Sequence, residues 1–153
     1  MEFDCMIENM KMALKRDKLV IFVGAGVSKN SGIPTWGQMV RQFAERMEYP
    51  VERLSTTEYI RIPQYFYDMD QSKEHEEYYR ILQEEITLDV EPNPLNRLIA
   101  RIRPKHIVTT NYDKLMDEVA DGYEIIREER DFLKASTNHY LIKMHGDMDS
   151  VQK

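Results

Sequence analysis

The chain has 153 residues, of which 42% are hydrophobic and 31% charged, and this balance indicates a soluble globular domain with a core of its own. The net charge of −6 argues against a broad basic surface for nucleic acid, although backbone N–H groups can still bind a small anion. Cys5 is the single cysteine, which excludes a disulfide framework and a thiolate zinc site within these residues. We therefore expect no nucleic-acid partner and no metal within the chain.

The beginning of the chain predicts a helix, a strand, a glycine-rich loop and a second helix. Residues 3–16 carry apolar residues at helical spacing, which predicts a helix. The N-terminus is too charged for a secretory signal, and no apolar run is long enough for a membrane span, so a cytoplasmic location is expected. The run "KLVIFVGAG", residues 18–26, is typical of a buried strand that leads into a tight turn. After the loop, Thr35 and Gln38 have the spacing of a capping box, which predicts the start of a helix.

The rest of the chain alternates predicted helices with predicted strands. Residues 51–91 are polar and helix-rich. Asn93 is placed to cap a helix whose inward face is formed by Leu95, Leu98, Ile99 and Ile102. Asp113 is placed to cap another helix. Three segments have the composition of strands: "HIVTTNYD" (106–113), "YEIIREE" (123–129) and "HYLIKMHGD" (139–147). This alternation predicts an α/β fold with a Rossmann-like, mostly parallel sheet flanked by helices.

Polar residues gather where three of the predicted strands end. The segments concerned are Gly24–Ser28, Thr109–Asp113 and His145–Asp147. Because ligands of parallel sheets bind beyond the carboxyl ends of the strands, these segments predict a shared binding site. His106 and His139 begin their strands at the opposite end of the sheet, and we expect them to be structural.

The loop "VGAGVSKNSGIPTW", residues 23–36, matches neither familiar phosphate-binding fingerprint. Gly32 comes too late for G-x-G-x-x-G, and the loop lacks the G-K-[ST] of a Walker A motif. Gly24 and Gly26 would still let the backbone turn tightly and approach a pyrophosphate closely. Taken alone, the loop is compatible with a nucleotide site or with a structural strand–turn connection.

Three motifs together resemble the sirtuin family. "GAGVSKNSGIPTW", "TTNYD" and "KMHGD" follow the order of that family's pattern, which runs GAG-x-S, then GIP, then a Q-N-x-D turn, then a strand ending in H-G. The resemblance covers about 25 diagnostic residues spread along the chain. It implies a domain that binds NAD and breaks the bond between nicotinamide and ribose.

The resemblance assigns roles to particular residues. The pyrophosphate would be cradled by Gly24, Ala25, Gly26 and Ser28, and the nicotinamide pocket would be walled by Ile33, Pro34 and Trp36. Asn111 would hold the ribose and the attacking water, Asp113 would lie near the carboxamide, and His145 would act as general base. Each of the last three also has a structural interpretation, as a turn residue, a helix cap and a strand-end histidine respectively.

Several positions depart from the sirtuin pattern. Thr35 replaces a common aspartate, Gly37 a ligand-contacting arginine, Thr110 a glutamine, Tyr112 an aliphatic residue and Asp147 a common serine. These departures resemble the divergent sirtuin-like domains of prokaryotic defence proteins, which hydrolyse NAD. We therefore predict an NAD hydrolase that produces nicotinamide and ADP-ribose, with a role in antiviral defence.

The resemblance also bears on domain organisation. Residues 1–153 are expected to be the N-terminal, NAD-binding portion of a larger domain or protein, and in isolation to turn over slowly or not at all. NAD is the expected ligand, no membrane partner is expected, and both a homo-oligomer and an attached effector domain stay open. Two other functions also stay open: an NAD-dependent protein deacylase, and a non-catalytic sensor of NAD or ADP-ribose.

Overall fold

The chain forms two compact units in the computed structural model, which describes residues 2–52, 54–86 and 89–147. The first unit combines Met1–Ser31 with Val90–Lys153, and the second consists of Gly32–Asp89. No linker in the sequence indicates this division. Among the described residues, every helix falls short of the length and apolar character needed to cross a membrane.

The first unit is built on a parallel sheet of four strands. The strands are β1 (Val20–Val23), β2 (His106–Thr109), β3 (Glu124–Ile126) and β4 (Tyr140–Lys143), in the order β1-β2-β4-β3. Val23 pairs with Thr109, and Thr109 with Lys143, so three strands end at the same level. Val23 and Leu141 belong to the buried core cluster of this unit. The predicted α/β class and the parallel sheet are confirmed.

The helices of the first unit agree only in part with the sequence. They are α1 (Glu2–Lys15), α2 (Ala25–Lys29), α6 (Pro94–Ile102) and α7 (Glu129–Lys134). Asn93 caps α6 as predicted, because its Oδ1 accepts the backbone N–H of Leu95 at 2.9 Å. Leu95 and Leu98 were wrongly predicted to face inward, since both side chains are exposed and Asn96 is the buried residue. The helix predicted after Asp113 is also wrong: turns without a regular helix occupy this segment.

The second unit is helical and has an aromatic core. Its helices are α3 (Trp36–Arg46), α4 (Thr56–Met69) and α5 (Glu76–Ile86), with a short turn at Lys73–His75. The predicted capping box is present, since Oε1 of Gln38 accepts the backbone N–H of Thr35 at 2.9 Å. The ring of Phe43 stacks on Tyr78 with centroids 5.2 Å apart. The predicted helix-rich character of residues 51–91 is confirmed for the residues described there.

Candidate active site

The glycine loop connects β1 directly to the short helix α2. Gly24 has extended backbone angles, φ −105° and ψ 175°, and Gly26 lies inside α2 without a positive φ. A Cβ added at either glycine would meet no heavy atom within 4 Å. The fold therefore requires glycine at neither position for backbone angle or internal space. The open volume beside both residues is what a closely approaching ligand needs.

Ser28, Asn111 and Asp113 form one hydrogen-bonded group although the serine is more than eighty residues away in sequence. The Ser28 hydroxyl donates to Oδ2 of Asp113 at 2.7 Å and accepts from Nδ2 of Asn111 at 2.9 Å. Ser28 is only 2% exposed. Because its single proton goes to Asp113, the hydroxyl has no proton to offer a phosphate while this bond is made.

The turn that carries Asn111 is fixed to the end of β1. The Thr109 hydroxyl donates to the backbone carbonyl of Val23 at 2.9 Å and accepts the backbone N–H of Asn111 at 3.0 Å. With Nδ2 of Asn111 turned toward Ser28, Oδ1 is the amide atom directed away from that bond. A carbonyl oxygen in this position is suited to accept a sugar hydroxyl or a water.

Asp113 holds its own turn and belongs to the polar group at the same time. Its Oδ1 accepts the backbone N–H of Leu115 at 3.1 Å, and its Oδ2 accepts from Ser28. The helix-cap interpretation of this residue is wrong, because turns rather than a helix follow it, and the bond from Leu115 closes a local turn instead. Its predicted contact with the nicotinamide carboxamide stays a prediction.

His145 lies just beyond β4, beside the turn that carries Asn111. The backbone N–H of Met144 bonds to the Thr109 carbonyl at 2.9 Å, which continues the pairing of β4 with β2. The exposed His145 ring lies 6.0 Å from the Tyr112 ring, centroid to centroid. Gly146 follows with φ 72°, a left-handed conformation that favours glycine and turns the chain away. Burial raises the pKa of the Tyr112 phenol.

A buried group of charges lies next to these residues and was not predicted from the sequence. Nζ of Lys143 bonds to the Asp113 carbonyl at 2.7 Å and to Oδ1 of Asp117 at 3.2 Å, and Arg127 contacts both Asp117 and Asp147. One signal was available. Strand side chains alternate between faces, so Lys143 shares the face of buried Leu141. A lysine on such a face needs buried partners.

The predicted nicotinamide-pocket residues belong to the second unit. Ile33 is buried, Pro34 is partly buried, and Trp36 is 44% exposed with its Nε1 donating to the Tyr59 carbonyl at 3.3 Å. Gly32, which opens this segment, has φ 98°. The structure therefore groups Ser28, Asn111, Asp113 and His145 at the carboxyl end of the sheet in the first unit. The pocket role of Ile33, Pro34 and Trp36 stays a prediction.

Comparisons with known proteins agree with the motif pattern. The model of the Sir2 family matches residues 24–152. Defense-associated sirtuin 2 of Bacillus subtilis is 35% identical over 147 residues, covering 92% of this chain and 14% of that protein. The NAD(+) hydrolase ThsA of Cytobacillus dafuensis is 26% identical over 156 residues, covering 98% of this chain and 31% of that protein. The Enterococcus faecium protein of the same name is 24% identical over 157 residues, covering 99% of this chain and 32% of that protein.

Proposed function

The chain belongs to the Sir2 family, and on this premise we propose that it is the NAD-cleaving part of an NAD hydrolase. It spans between 14% and 32% of the length of the curated relatives reported above, so the proposal concerns the full-length protein. The reaction is hydrolysis of the nicotinamide–ribose bond, which gives nicotinamide and ADP-ribose. Two of those relatives are named NAD(+) hydrolases, which supports this reaction over others of the family.

The observation that carries the proposal is the hydrogen-bonded group of Ser28, Asn111 and Asp113 beside His145. Nicotinamide leaves as a neutral molecule from a cationic ring, so cleavage needs an oriented sugar and a placed nucleophile more than acid assistance. The Asn111 amide is held by Ser28 in the orientation that presents its oxygen to a hydroxyl or water. This arrangement supplies the orientation without adding charge.

The steps balance with water as the sole co-reactant. The bond between C1′ of the ribose and the nicotinamide nitrogen breaks, and its electron pair stays with nicotinamide. The water oxygen bonds to C1′, and one of its protons goes to the imidazole of His145, which acts as the general base. The open space beside Gly24 and Gly26 is where we place the pyrophosphate.

The test measures nicotinamide released from NAD by the full-length protein. Asn111→Ala removes the orienting amide, and we expect release to fall by about a hundredfold or more, because loss of near-attack geometry has effects of that size. Asn138→Ala is the matched control, since this asparagine is exposed in the loop before β4. Wild-type release by Asn111→Ala would show that the amide is not part of the reaction.

Adding an acyl-lysine peptide to the assay distinguishes an NAD hydrolase from an NAD-dependent deacylase. A hydrolase releases nicotinamide whether or not peptide is present, whereas a deacylase releases it only with peptide. Tight NAD binding with no product under either condition would support the sensor alternative.

We further propose that the hydrolase acts in the cytoplasm as part of antiviral defence. The name of the 35% identical relative, Defense-associated sirtuin 2, supports this role. Cells that carry the full-length protein should lose NAD after phage infection, and cells with Asn111→Ala should keep it. NAD levels that stay constant in both strains would contradict the defence role while leaving the hydrolase activity to the assay above.

A further inference from the structure

Lys143 has a fully buried charged side chain near the site. It ends β4, and its side chain has no exposed surface. A lysine is almost never buried completely unless its ammonium group is paired, because leaving water is costly for a charge. Its position therefore indicates that the partners of the ammonium group are well placed.

Those partners come from separate parts of the first unit. Nζ of Lys143 donates to the Asp113 carbonyl at 2.7 Å and to Oδ1 of Asp117 at 3.2 Å, and it lies 3.7 Å from Oδ2 of Asp147. Arg127 contacts the carboxylates of both Asp117 and Asp147. Two cations thus face two carboxylates. Burial raises the pKa of the Asp117 carboxyl, whereas the nearby Lys143 and Arg127 act in the opposite direction.

The same ammonium group connects the two turns of the candidate active site. On one side it bonds to the backbone of Asp113, whose carboxylate holds Ser28, which in turn orients Asn111. On the other side it lies against Asp147 and is two residues from His145 in the chain. Any movement of the ammonium group would therefore shift one turn relative to the other.

We propose that Lys143 is a positioning residue, whose buried ammonium group holds the Asn111 turn and the His145 turn in the arrangement that NAD cleavage requires. The inference rests on the proposed function. Lys143 touches neither substrate nor water in this scheme, and it acts through the Asp113 carbonyl and the two carboxylates. Because near-attack geometry fails with displacements of about 1 Å, the effect belongs mainly to kcat.

The experiment uses the full-length protein with Lys143→Met, which keeps the length of the side chain and removes its charge and donors. We expect kcat for nicotinamide release to fall about a hundredfold while KM for NAD stays within about threefold. Amide hydrogen exchange at Asn111 and Leu115 should rise at least about tenfold, with the β1 and β2 amides unchanged. Lys105→Met, which removes a lysine paired with Asp17 at the other end of the sheet, should change neither readout.

A second variant covers the case in which Lys143→Met unfolds. Lys143→Met combined with Asp117→Asn removes opposite charges together and leaves Arg127 facing Asp147. Low kcat with raised exchange at Asn111 and Leu115 supports the proposal, because the donor to the Asp113 carbonyl is still missing. Wild-type kcat in this double variant would overturn it, since Lys143 would then serve only to neutralise Asp117.

The exchange measurement separates this inference from the proposed function. If the wild-type protein releases no nicotinamide, the hydrolase proposal fails, and exchange at Asn111 and Leu115 alone decides the role of Lys143. Unchanged exchange in Lys143→Met overturns the positioning role whatever the enzyme activity. Unchanged kcat in a wild-type-like fold does the same.

Discussion

Lys105 and Lys143 lie at opposite ends of the same parallel sheet and are held in opposite ways. At the amino end, Lys105 pairs at 2.6 Å with Asp17, whose side chain is 54% exposed, so water screens this pair in part. At the carboxyl end, Lys143 is buried among backbone and carboxylate partners. A screened pair tolerates small shifts, whereas a buried group must keep its geometry to offset the loss of water.

The histidines of the two ends differ in the reverse sense. His106, at the amino end, stacks on Tyr140 with parallel rings, and its Nδ1 accepts the Tyr140 backbone N–H at 3.3 Å. His145, at the carboxyl end, is exposed and is followed by the left-handed Gly146. The amino end thus uses histidine for packing, while the carboxyl end fixes the residues around a histidine that solvent and ligand can reach. Among the described residues, the buried ion pairs of Lys143 therefore lie behind the candidate site, next to an exposed histidine.

The largest expected effect tests this division with two alanine substitutions. His145→Ala should lower nicotinamide release by the full-length protein by about 10²–10⁴-fold, the usual contribution of a general base. His139→Ala, at the amino end, should leave release unchanged, since its ring packs against Tyr123 there. The measurement is the initial rate of nicotinamide formation at saturating NAD. Equal losses from both substitutions would mean that the two ends do not differ in function.

Alanine substitution of two glycines, one at each end of the sheet, has a smaller expected effect. Gly26→Ala should stabilise α2 by about 0.5–1 kcal/mol, because the residue is helical and an added Cβ meets nothing. The same methyl group would occupy the space assigned to the pyrophosphate, so NAD affinity should fall. Each 1.4 kcal/mol of steric repulsion would weaken binding about tenfold. Denaturant unfolding and an NAD titration measure the two effects separately.

Gly122→Ala is the matched change at the amino end, where the residue lies two positions before β3. Its φ of 82° is left-handed, so alanine should cost about 1–2 kcal/mol of stability. NAD affinity should be unaffected. If Gly26→Ala also bound NAD normally, the ligand would not approach the loop at that residue.

The sequence predicted the strand ends well because local patterns determine them. Apolar, β-branched runs indicate buried strands, and parallel strands bring their carboxyl ends together, so Asn111 and His145 could be placed on one edge without a structure. The Asn93 cap was equally predictable, since the capping bonds that its Oδ1 accepts come from residues only two and three positions along the chain. These features depend on neighbours that the sequence itself displays.

The missed features depend on contacts between distant residues. Lys143 bonds to Asp117 and Asp113, which lie 26 and 30 residues earlier in the chain, and no local sequence pattern predicts such pairs. The turn after Asp113 was predicted as a helix capped by this residue, but tertiary bonds to Ser28 and Lys143 also hold this aspartate. On α6, the predicted inward side is only partly correct, since Ile99 packs against the core whereas Leu95 and Leu98 are exposed. Asn96 lies inward because its side chain bonds to the Asn93 backbone and to Met116.

The smallest expected effect concerns the pH dependence of stability at the amino end. Burial and the nearby Lys105 and His139 lower the pKa of His106 below its usual value of about 6.5. The unfolded chain therefore binds this proton more readily than the folded chain does, and stability is lost as pH falls from about 6.5 toward the folded pKa. The pKa of Asp17 is also lowered, through its bond to Lys105, but its loss of stability begins only below about pH 4.

His106→Asn isolates this contribution, because the amide oxygen can take over the bond from the Tyr140 backbone without titrating near neutral pH. The variant should lose less unfolding free energy than wild type between pH 6.5 and pH 5, even if its stability at pH 8 is lower. Denaturant unfolding at several pH values gives both curves. Parallel curves would show that His106 titrates alike in the folded and unfolded chains. Packing at the amino end would then have no effect on the pKa of this histidine.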